Sequence, residues 1–357
     1  MRVAIMYSAH SWRGSGTIFA QVGRGLLERG HDVRALVPPR VAAGFAERGV
    51  PVRETDIVHT GLRHAWALHR ALTECRSDVL LADQPRDLRL AAAASLARRV
   101  AIVHCLSTPL PATDLRTRFA YRRVRLTVYL TEGLAAAALR VAPWMGRAVR
   151  RVIPNGVDCG FFRPDAAAGR AFRERHGLGE GLVLVGVGAL EPEKRWDLLL
   201  DSLSMLGNPA PPLVLCGAGA LEAALRVRAG AAGLDVRFVG VLPPAELVGA
   251  YNAATCVVHP RPDEVFALAL IEALACGRPV LAASGGGSAE LLGEAGGLAP
   301  PGDAAAFARQ LAALLADPAR RTALGAQARR RAEQRFTLDR MVDGFEDALS
   351  NRQQLRR

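Results

Sequence analysis

The sequence predicts two α/β domains, each a parallel sheet wound with helices on both faces. Three observations carry this. The chain has 357 residues, and domains of roughly 100–200 residues suggest two. Apolar runs of strand length alternate with Ala/Leu/Arg segments of helical period in both halves, the pattern of a doubly wound parallel sheet. The alternation lapses between Asp158 and Gly181 into Pro, Gly and charged residues, then resumes, as a linker would.

In the first half, Arg2–Tyr7 is an apolar run too short for a helix and reads as a buried strand. Thr17–Arg29 is amphipathic and helical, and Gly30 sits where a C-terminal cap is needed. Asp32–Val37, Val79–Ala82, Val100–His104, Leu126–Leu130 and Val149–Ile153 read as further strands. After the lapse, strands are expected at Leu182–Val187, Leu213–Cys216, Val236–Val239, Cys256–His259 and Pro279–Ala282. Helices are expected at Leu198–Leu206, Ala220–Ala232, Ala245–Ala253 and Ala267–Ala275, and the tail from Ala304 to Asn351 reads as helical throughout. Two such domains on one linker leave a cleft between the carboxyl ends of the sheets, where open parallel sheets bind ligands.

Composition excludes several classes. Half the residues are hydrophobic and 22% are charged, against the low-hydrophobicity, high-charge signature of disorder. No apolar run approaches the ~18 residues of a membrane span, and the first twelve residues, ending in His10, Ser11 and Trp12, hold no apolar leader segment. A soluble, cytoplasmic protein is expected. The six cysteines include no Cys-x-x-Cys pair, which argues against zinc and for reduced, mostly buried thiols. The net charge of +12 favours anionic partners: nucleic acid, anionic lipid or phosphorylated substrates. None of the usual nucleic-acid modules is visible, so specific nucleic-acid binding is not expected. Among 46 basic residues lysine occurs once, at Lys194. A compositional bias toward arginine has spared lysine at one position, where a compact point charge differs in use from a planar fork.

The motif richest in chemistry runs from Glu264 through Val265, Phe266, Ala267 and Leu268 to Glu272. Glu264 lies at the mouth of the strand Cys256–His259. Phe266, Ala267 and Leu268 open the following helix, whose free N–H groups can hold an anion. A carboxylate beside such a helix start suits a ligand with both phosphate and hydroxyls; the plainer alternative is a solvated helix face.

This segment resembles the Glu-x7-Glu signature of the retaining GT-B glycosyltransferases, family 4 in the glycosyltransferase classification. Five further segments agree in order: Val152–Asp158 with Phe162 and Pro164; Val187–Leu190 with Glu193 and Lys194; Leu215–Gly219; Phe238–Gly240; and Gly286-Gly287 with Glu290. The resemblance implies two Rossmann-like domains facing a central cleft: residues 1–160 on the acceptor side, 161–335 for the nucleotide sugar, and 336–357 crossing back to the first domain. It implies that Glu272 binds the ribose hydroxyls, that Glu264 lies beside the donor sugar, and that Lys194 neutralises the diphosphate. Phe266, Ala267 and Leu268 would lie near the phosphates, and Gly240, Val241 and Leu242 would border the base.

The chain departs from the family at Ala189, where arginine is usual, and at Val265 and Ala267, where glycines are usual. Arg195 and Arg261 are the residues that could replace the missing cation. In the N-terminal half, Gly14, Ser15 and Gly16 resemble the family's glycine-rich loop facing the donor phosphates, with Arg13 as an adjoining cation; a plain tight turn is the alternative. His104, at a strand end, would contact the donor sugar, or else be a satisfied buried histidine. Asp83 would reach the acceptor, and His31 would tie a helix end to a strand. Leu115–Tyr129 carries five arginines among aromatic residues; it suits the anionic inner face of a membrane or is simply a solvated helix face.

The expected activity is sugar transfer, with retention, from a nucleotide-diphosphate sugar (UDP, GDP, ADP or dTDP) to an acceptor hydroxyl or amine, with no obligatory metal. His104, Lys194 and Glu264 are the expected catalytic residues. A pseudo-glycosyltransferase, a sugar-nucleotide epimerase and a non-catalytic nucleotide-binding scaffold are the alternatives that the same fold would serve.

Overall fold

Two sheets organise the chain, each in its own unit: Met1–Gly156 with the chain from Leu338 onward, and Val157–Thr337. The structure is a computed structural model and describes residues 1–12, 14–97, 99–108, 111–207 and 209–351.

The first unit runs β1 (Arg2–Met6), α1 (Gly14–Glu28), β2 (Asp32–Val37), α2 (Pro39–Ala46), β3 (Val52–Glu54), α3 (Leu62–Glu74), β4 (Val79–Ala82), α4 (Pro85–Ala94), β5 (Ala101–Leu106), α5 (Leu115–Ala120), β6 (Val124–Tyr129), α6 (Glu132–Val141) and β7 (Val149–Val152). Among the described residues its seven strands pair in parallel in the order β3-β2-β1-β4-β5-β6-β7. The central strands β1, from Val3 on, and β4 are buried on both faces, which is why they read as unbroken apolar runs. The second unit runs α7 (Ala166–Arg175), β8 (Leu184–Val187), α8 (Trp196–Ser204), β9 (Leu213–Cys216), α9 (Glu222–Ala231), β10 (Val236–Gly240), α10 (Pro244–Ala253), β11 (Cys256–His259), α11 (Leu268–Ala275), β12 (Val280–Ala283), α12 (Ser288–Leu292), β13 (Gly297–Ala299), α13 (Ala304–Ala316) and α14 (Pro318–Arg335). Its parallel sheet has the order β10-β9-β8-β11-β12-β13. Trp196, Leu199, Leu215, Phe307 and Leu311 lie in its core.

The final helix, α15 (Leu338–Ser350), packs on α1 in the first unit. Gly25 allows the approach, since a Cβ there would lie 2.4 Å from the Val342 side chain. Arg29 bonds Glu346 at 2.9 Å and Asp343 at 2.6 Å, and His31 Nε2 meets Glu346 at 2.9 Å. The His31 N–H donates to the Leu26 carbonyl at 3.1 Å, so the residue does tie the end of α1 to the start of β2, and its side chain adds a tie to the last helix.

Several expected elements differ. Helix α1 begins at Gly14, so Gly14, Ser15 and Gly16 form its first turn and not a loop before it. The stretch read as a linker contains α7, capped by the Asp165 carboxylate accepting from the Ala168 N–H at 2.9 Å. The tail is three helices. Asp317 caps α14 by accepting from the Arg320 N–H at 2.9 Å, and Pro318 fits the first turn of a new helix but not the interior of an old one. Leu115–Tyr129 is a short helix, a 3₁₀ turn and strand β6, with Tyr121 and Tyr129 buried. Among the described residues no helix is long and apolar enough to cross a membrane.

Candidate functional site

In the second unit β8 and β11 are neighbours whose outgoing connections run to opposite sides of the sheet. Such a switch point opens a crevice at the carboxyl ends of the strands. The loop after β8 supplies Lys194 and the loop after β11 supplies Arg261 and Glu264. Lys194 Nζ donates to Glu264 Oε2 at 2.7 Å. The pair is mostly shielded, with 18% and 12% of the side chains exposed. His259, the last residue of β11, is buried and brings Nε2 to 3.5 Å from the same oxygen; that nitrogen has no hydrogen-bond partner among the described residues. Arg261 Nη1 lies 3.7 Å from it. Three basic groups thus converge on one carboxylate oxygen.

Burial alone would raise the Glu264 carboxyl, but His259 and Lys194 overcome it and hold it at about 2. His259 is pushed down by burial against the opposing pull of Glu264, so its imidazole favours the neutral form. The carboxylate is therefore ionised at neutral pH, and Lys194 is the point cation set against it.

The glycine segment after β12 explains how this loop keeps its shape. A Cβ on Gly286, whose φ is +55°, would lie 2.2 Å from the Glu264 carbonyl oxygen. The Gly287 N–H donates to that same oxygen at 2.6 Å. Only glycine tolerates both the left-handed backbone and the approach. At the neighbouring edge a Cβ on Gly217 would lie 1.9 Å from the Gly188 carbonyl oxygen, and the Gly217 N–H donates to the Gly240 carbonyl at 2.8 Å. The ends of β8, β9 and β10 are drawn together by their glycines.

Helix α11 begins at Leu268, with Ala267 as its cap residue. Phe266 is buried and its ring meets Phe336 edge to face at 6.1 Å. Glu272 follows one turn into the helix, and its Oε2 accepts from Tyr251 Oη at 2.7 Å. Burial raises the Glu272 carboxyl, with the Tyr251 bond opposing. Oε1 has no partner among the described residues. Gly240 ends β10 with open space on its Cα, and Val241 beyond it is exposed; Leu242 follows in the same loop.

The first unit places its candidates differently. His104 lies inside β5, which continues to Leu106, and not at a strand end. It is 3% exposed. Its Nε2 meets the Asp83 carbonyl at 3.1 Å and its Nδ1 meets Tyr121 Oη at 3.3 Å. Burial pushes it down to about 4, so it is neutral and serves an internal network in this structure. Asp83 is buried too, accepting from Ser107 Oγ at 2.5 Å and Gln84 Nε2 at 3.0 Å. Gly16 is buried, and a Cβ there would lie 3.1 Å from the Tyr7 ring. Arg13 lies outside the described residues. Asp87, beside these, passed unnoticed in the sequence: its Oδ1 accepts from Ser8 Oγ, Oδ2 has no partner among the described residues, and burial pushes the carboxyl up to about 7. His259 and Tyr251 also passed unnoticed, although a histidine closing the strand five residues before Glu264 was a readable signal. Among the described residues no three His, Cys, Asp or Glu side chains gather as a metal site would need.

The chain matches two family descriptions: "Glycosyltransferase Family 4" over residues 12–161 and "Glycosyl transferases group 1" over residues 170–331. A D-inositol 3-phosphate glycosyltransferase of Acidothermus cellulolyticus is 37% identical over 224 residues, 57% of this chain and 49% of the relative. A GDP-mannose-dependent alpha-(1-6)-phosphatidylinositol monomannoside mannosyltransferase of Mycolicibacterium smegmatis is 33% identical over 190 residues, 50% of each. The chain spans about half the length of the curated relatives it matches. Among solved structures, Anabaena Alr3699/HepE in complex with UDP superposes with a TM-score of 0.87 at 21% identity, over 98% of this chain and 100% of that one. Sucrose-phosphate synthase from Thermosynechococcus elongatus superposes at 0.82 with 20% identity, over 98% of each chain; likeness at these identities is a likeness of fold. With two parallel-sheet α/β units and both family matches in register, the chain has the GT-B fold and belongs to the group 1 glycosyltransferases, family 4.

Proposed function

We propose that this chain is a retaining glycosyltransferase that uses a nucleotide-diphosphate sugar. The observation that carries the reading is the Lys194–Glu264 pair at 2.7 Å, at the switch point of the second sheet and ahead of the α11 start. A diphosphate needs a point cation and helix N–H groups, and this site offers both. A partly shielded ionised carboxylate beside them suits sugar hydroxyls, and Glu272 Oε1 suits the ribose. In the reaction the bond from sugar C1 to the diphosphate oxygen breaks, and the acceptor oxygen bonds C1 on the same face. The acceptor proton goes to the departing phosphate oxygen, and Lys194 stabilises the charge that develops there. The second unit holds the donor and the first selects the acceptor.

The donor base divides two lines of support. Solved structures of HepE are complexes with UDP and UDP-glucose, whereas the mannosyltransferase relative is GDP-mannose-dependent. Thermal shift with UDP, GDP, ADP and dTDP separates them, because a ligand at 100 times its Kd adds ~2.7 kcal/mol of stability. No shift with any of the four, together with no release of nucleotide from the matching sugar donors, refutes the reading. For the acceptor side, exposed Leu115 and Phe119 stand on α5 among the exposed Arg116, Arg118 and Arg122. Apolar side chains ringed by arginine suit an anionic lipid surface. Sedimentation with vesicles containing phosphatidylglycerol, against phosphatidylcholine alone, tests that contact.

A further inference from the structure

Lys194 is a single cation, while a departing nucleoside diphosphate carries two to three negative charges. Arg195 and Arg261 flank the site in sequence, and the structure separates them. Arg195 has a left-handed backbone, with φ +56°. It folds onto its own helix start: Nε and Nη2 meet the Asp197 carboxylate at 3.2 and 3.4 Å. Arg261 is 17% exposed and anchored by one nitrogen, Nε, which donates to Asp263 Oδ1 at 2.8 Å. Its terminal nitrogens have no hydrogen bond among the described residues, and Nη1 stops 3.7 Å from the Glu264 oxygen that Lys194 already holds. Asp263 is 63% exposed, so solvent screens it. A guanidinium held by its Nε, with no hydrogen bond at either Nη among the described residues, keeps its fork available to two oxygens of a phosphate. The buried His259 Nε2 lies 3.5 Å from the same carboxylate oxygen, so that oxygen is the meeting point of the site's basic groups.

We propose that Arg261 is the second diphosphate-binding cation of this site, acting with Lys194 across the Glu264 carboxylate. This rests on the donor-site reading above. Ala189, in the loop after β8, carries no charge to do the work, and its carbonyl is occupied by the Trp196 Nε1–H at 2.9 Å. Diphosphate oxygens entering the site displace the long Arg261–Glu264 contact and bridge Lys194 Nζ and the Arg261 fork.

The test is calorimetry on the full chain with UDP, UMP and uridine, and with GDP, GMP and guanosine. The proteins are the wild type, Arg261→Ala, Arg261→Gln and Arg195→Ala. The Gln variant removes the charge while keeping an amide that can reach Asp263, so it remains informative if the Ala variant does not fold. The expected result is a diphosphate affinity 10- to 100-fold weaker in both Arg261 variants, a monophosphate affinity changed several-fold, and an unchanged nucleoside affinity. Arg195→Ala should change none of these by more than threefold. The Arg261 variants should also show a shallower salt dependence of diphosphate binding, since one ion contact is gone. A loss below threefold with diphosphate, or an equal loss with the nucleoside, overturns the proposal and leaves the donor site standing. A wild type that binds neither of these diphosphates, nor ADP nor dTDP, overturns the donor-site reading and this inference with it.

Discussion

Replacing Lys194 by Ala removes the partner that sits 2.7 Å from Glu264 Oε2. Glu264 is held at about 2 against an ordinary 4.5, a difference of ~3 kcal/mol in favour of the charged form. His259 shares in that effect, so the part lost with Lys194 is on the order of 1–2 kcal/mol. This lies between the ~0–1 kcal/mol of exposed pairs and the ~3–5 kcal/mol lost when one partner of a buried pair is removed, as befits side chains that are 18% and 12% exposed. For a unit of this size the melting temperature should fall by about 2–8 °C. An ordinary cleft lysine would leave it unchanged, so the pairing turns a residue of binding interest into one of stability too. Because Glu264 titrates below its unfolded-state value, its contribution is complete above pH 4.5 and is lost as pH falls toward about 2. The gap between wild type and Lys194→Ala should therefore be full at pH 7 and close in strong acid. Turnover should fall about a hundredfold or more, since one donor to a developing charge contributes ~3 kcal/mol. Lys194→Arg should recover part of it at most, the fork being wider than an ammonium. Since Lys194 is the only lysine, an amine-reactive reagent has that side chain and the α-amino group to modify, and mass spectrometry reads each separately. A saturating nucleoside diphosphate should protect Lys194 and leave the terminus reactive. Unchanged melting at pH 7, together with equal labelling with and without every nucleotide, would refute both the pairing and its role.

Gly286→Ala should weaken nucleoside diphosphate binding at least tenfold, because its Cβ would lie 2.2 Å from the Glu264 carbonyl oxygen at a φ of +55°. Unchanged calorimetry would mean that the loop moves without cost. Glu272→Ala should cost ~1.5–3 kcal/mol of nucleotide affinity through the lost charged acceptor. Glu272→Gln, which keeps an acceptor for Tyr251 Oη, should restore fold stability and not affinity; unchanged affinity in both variants ends the ribose assignment. Asp87, raised from 3.8 to about 7 by burial, favours the fold in its protonated form. Its contribution is complete below pH 3.8 and declines as pH rises to about 7. Asp87→Asn should therefore stabilise the protein at pH 8, by at most ~4 kcal/mol, and leave it unchanged at pH 4. Denaturant midpoints at the two pH values check this, and equal gains at both would refute it.

The chain alone determined its layering. Strands β4, β9 and β11 lie where their apolar runs begin and end, because strands buried on both faces have no exposed polar residue to blur their edges. The edge strands β3 and β13, three residues each, left no such mark, since half-exposed residues need no apolar run. The breaks at Asp317 and before Leu338 were present as an Asp-Pro pair and a Phe-Thr pair, but continuous alanine-rich period outweighed them. The motif around Glu264 and Glu272 was legible because its carboxylates and its helix start are neighbours in sequence. What holds each residue was not. Lys194 and Glu264 are 70 positions apart and Tyr251 and Glu272 are 21 apart; those distances are closed by the switch in strand order, which no local pattern encodes. The need for glycine at Gly286 comes from the carbonyl of Glu264, a contact made only once β11 and β12 pair side by side. The choice between Arg195 and Arg261 was likewise undecidable in one dimension. Both are arginines near the motif residues, and only the fold turns one back onto Asp197 and leaves the other's fork open beside Lys194 and Glu264.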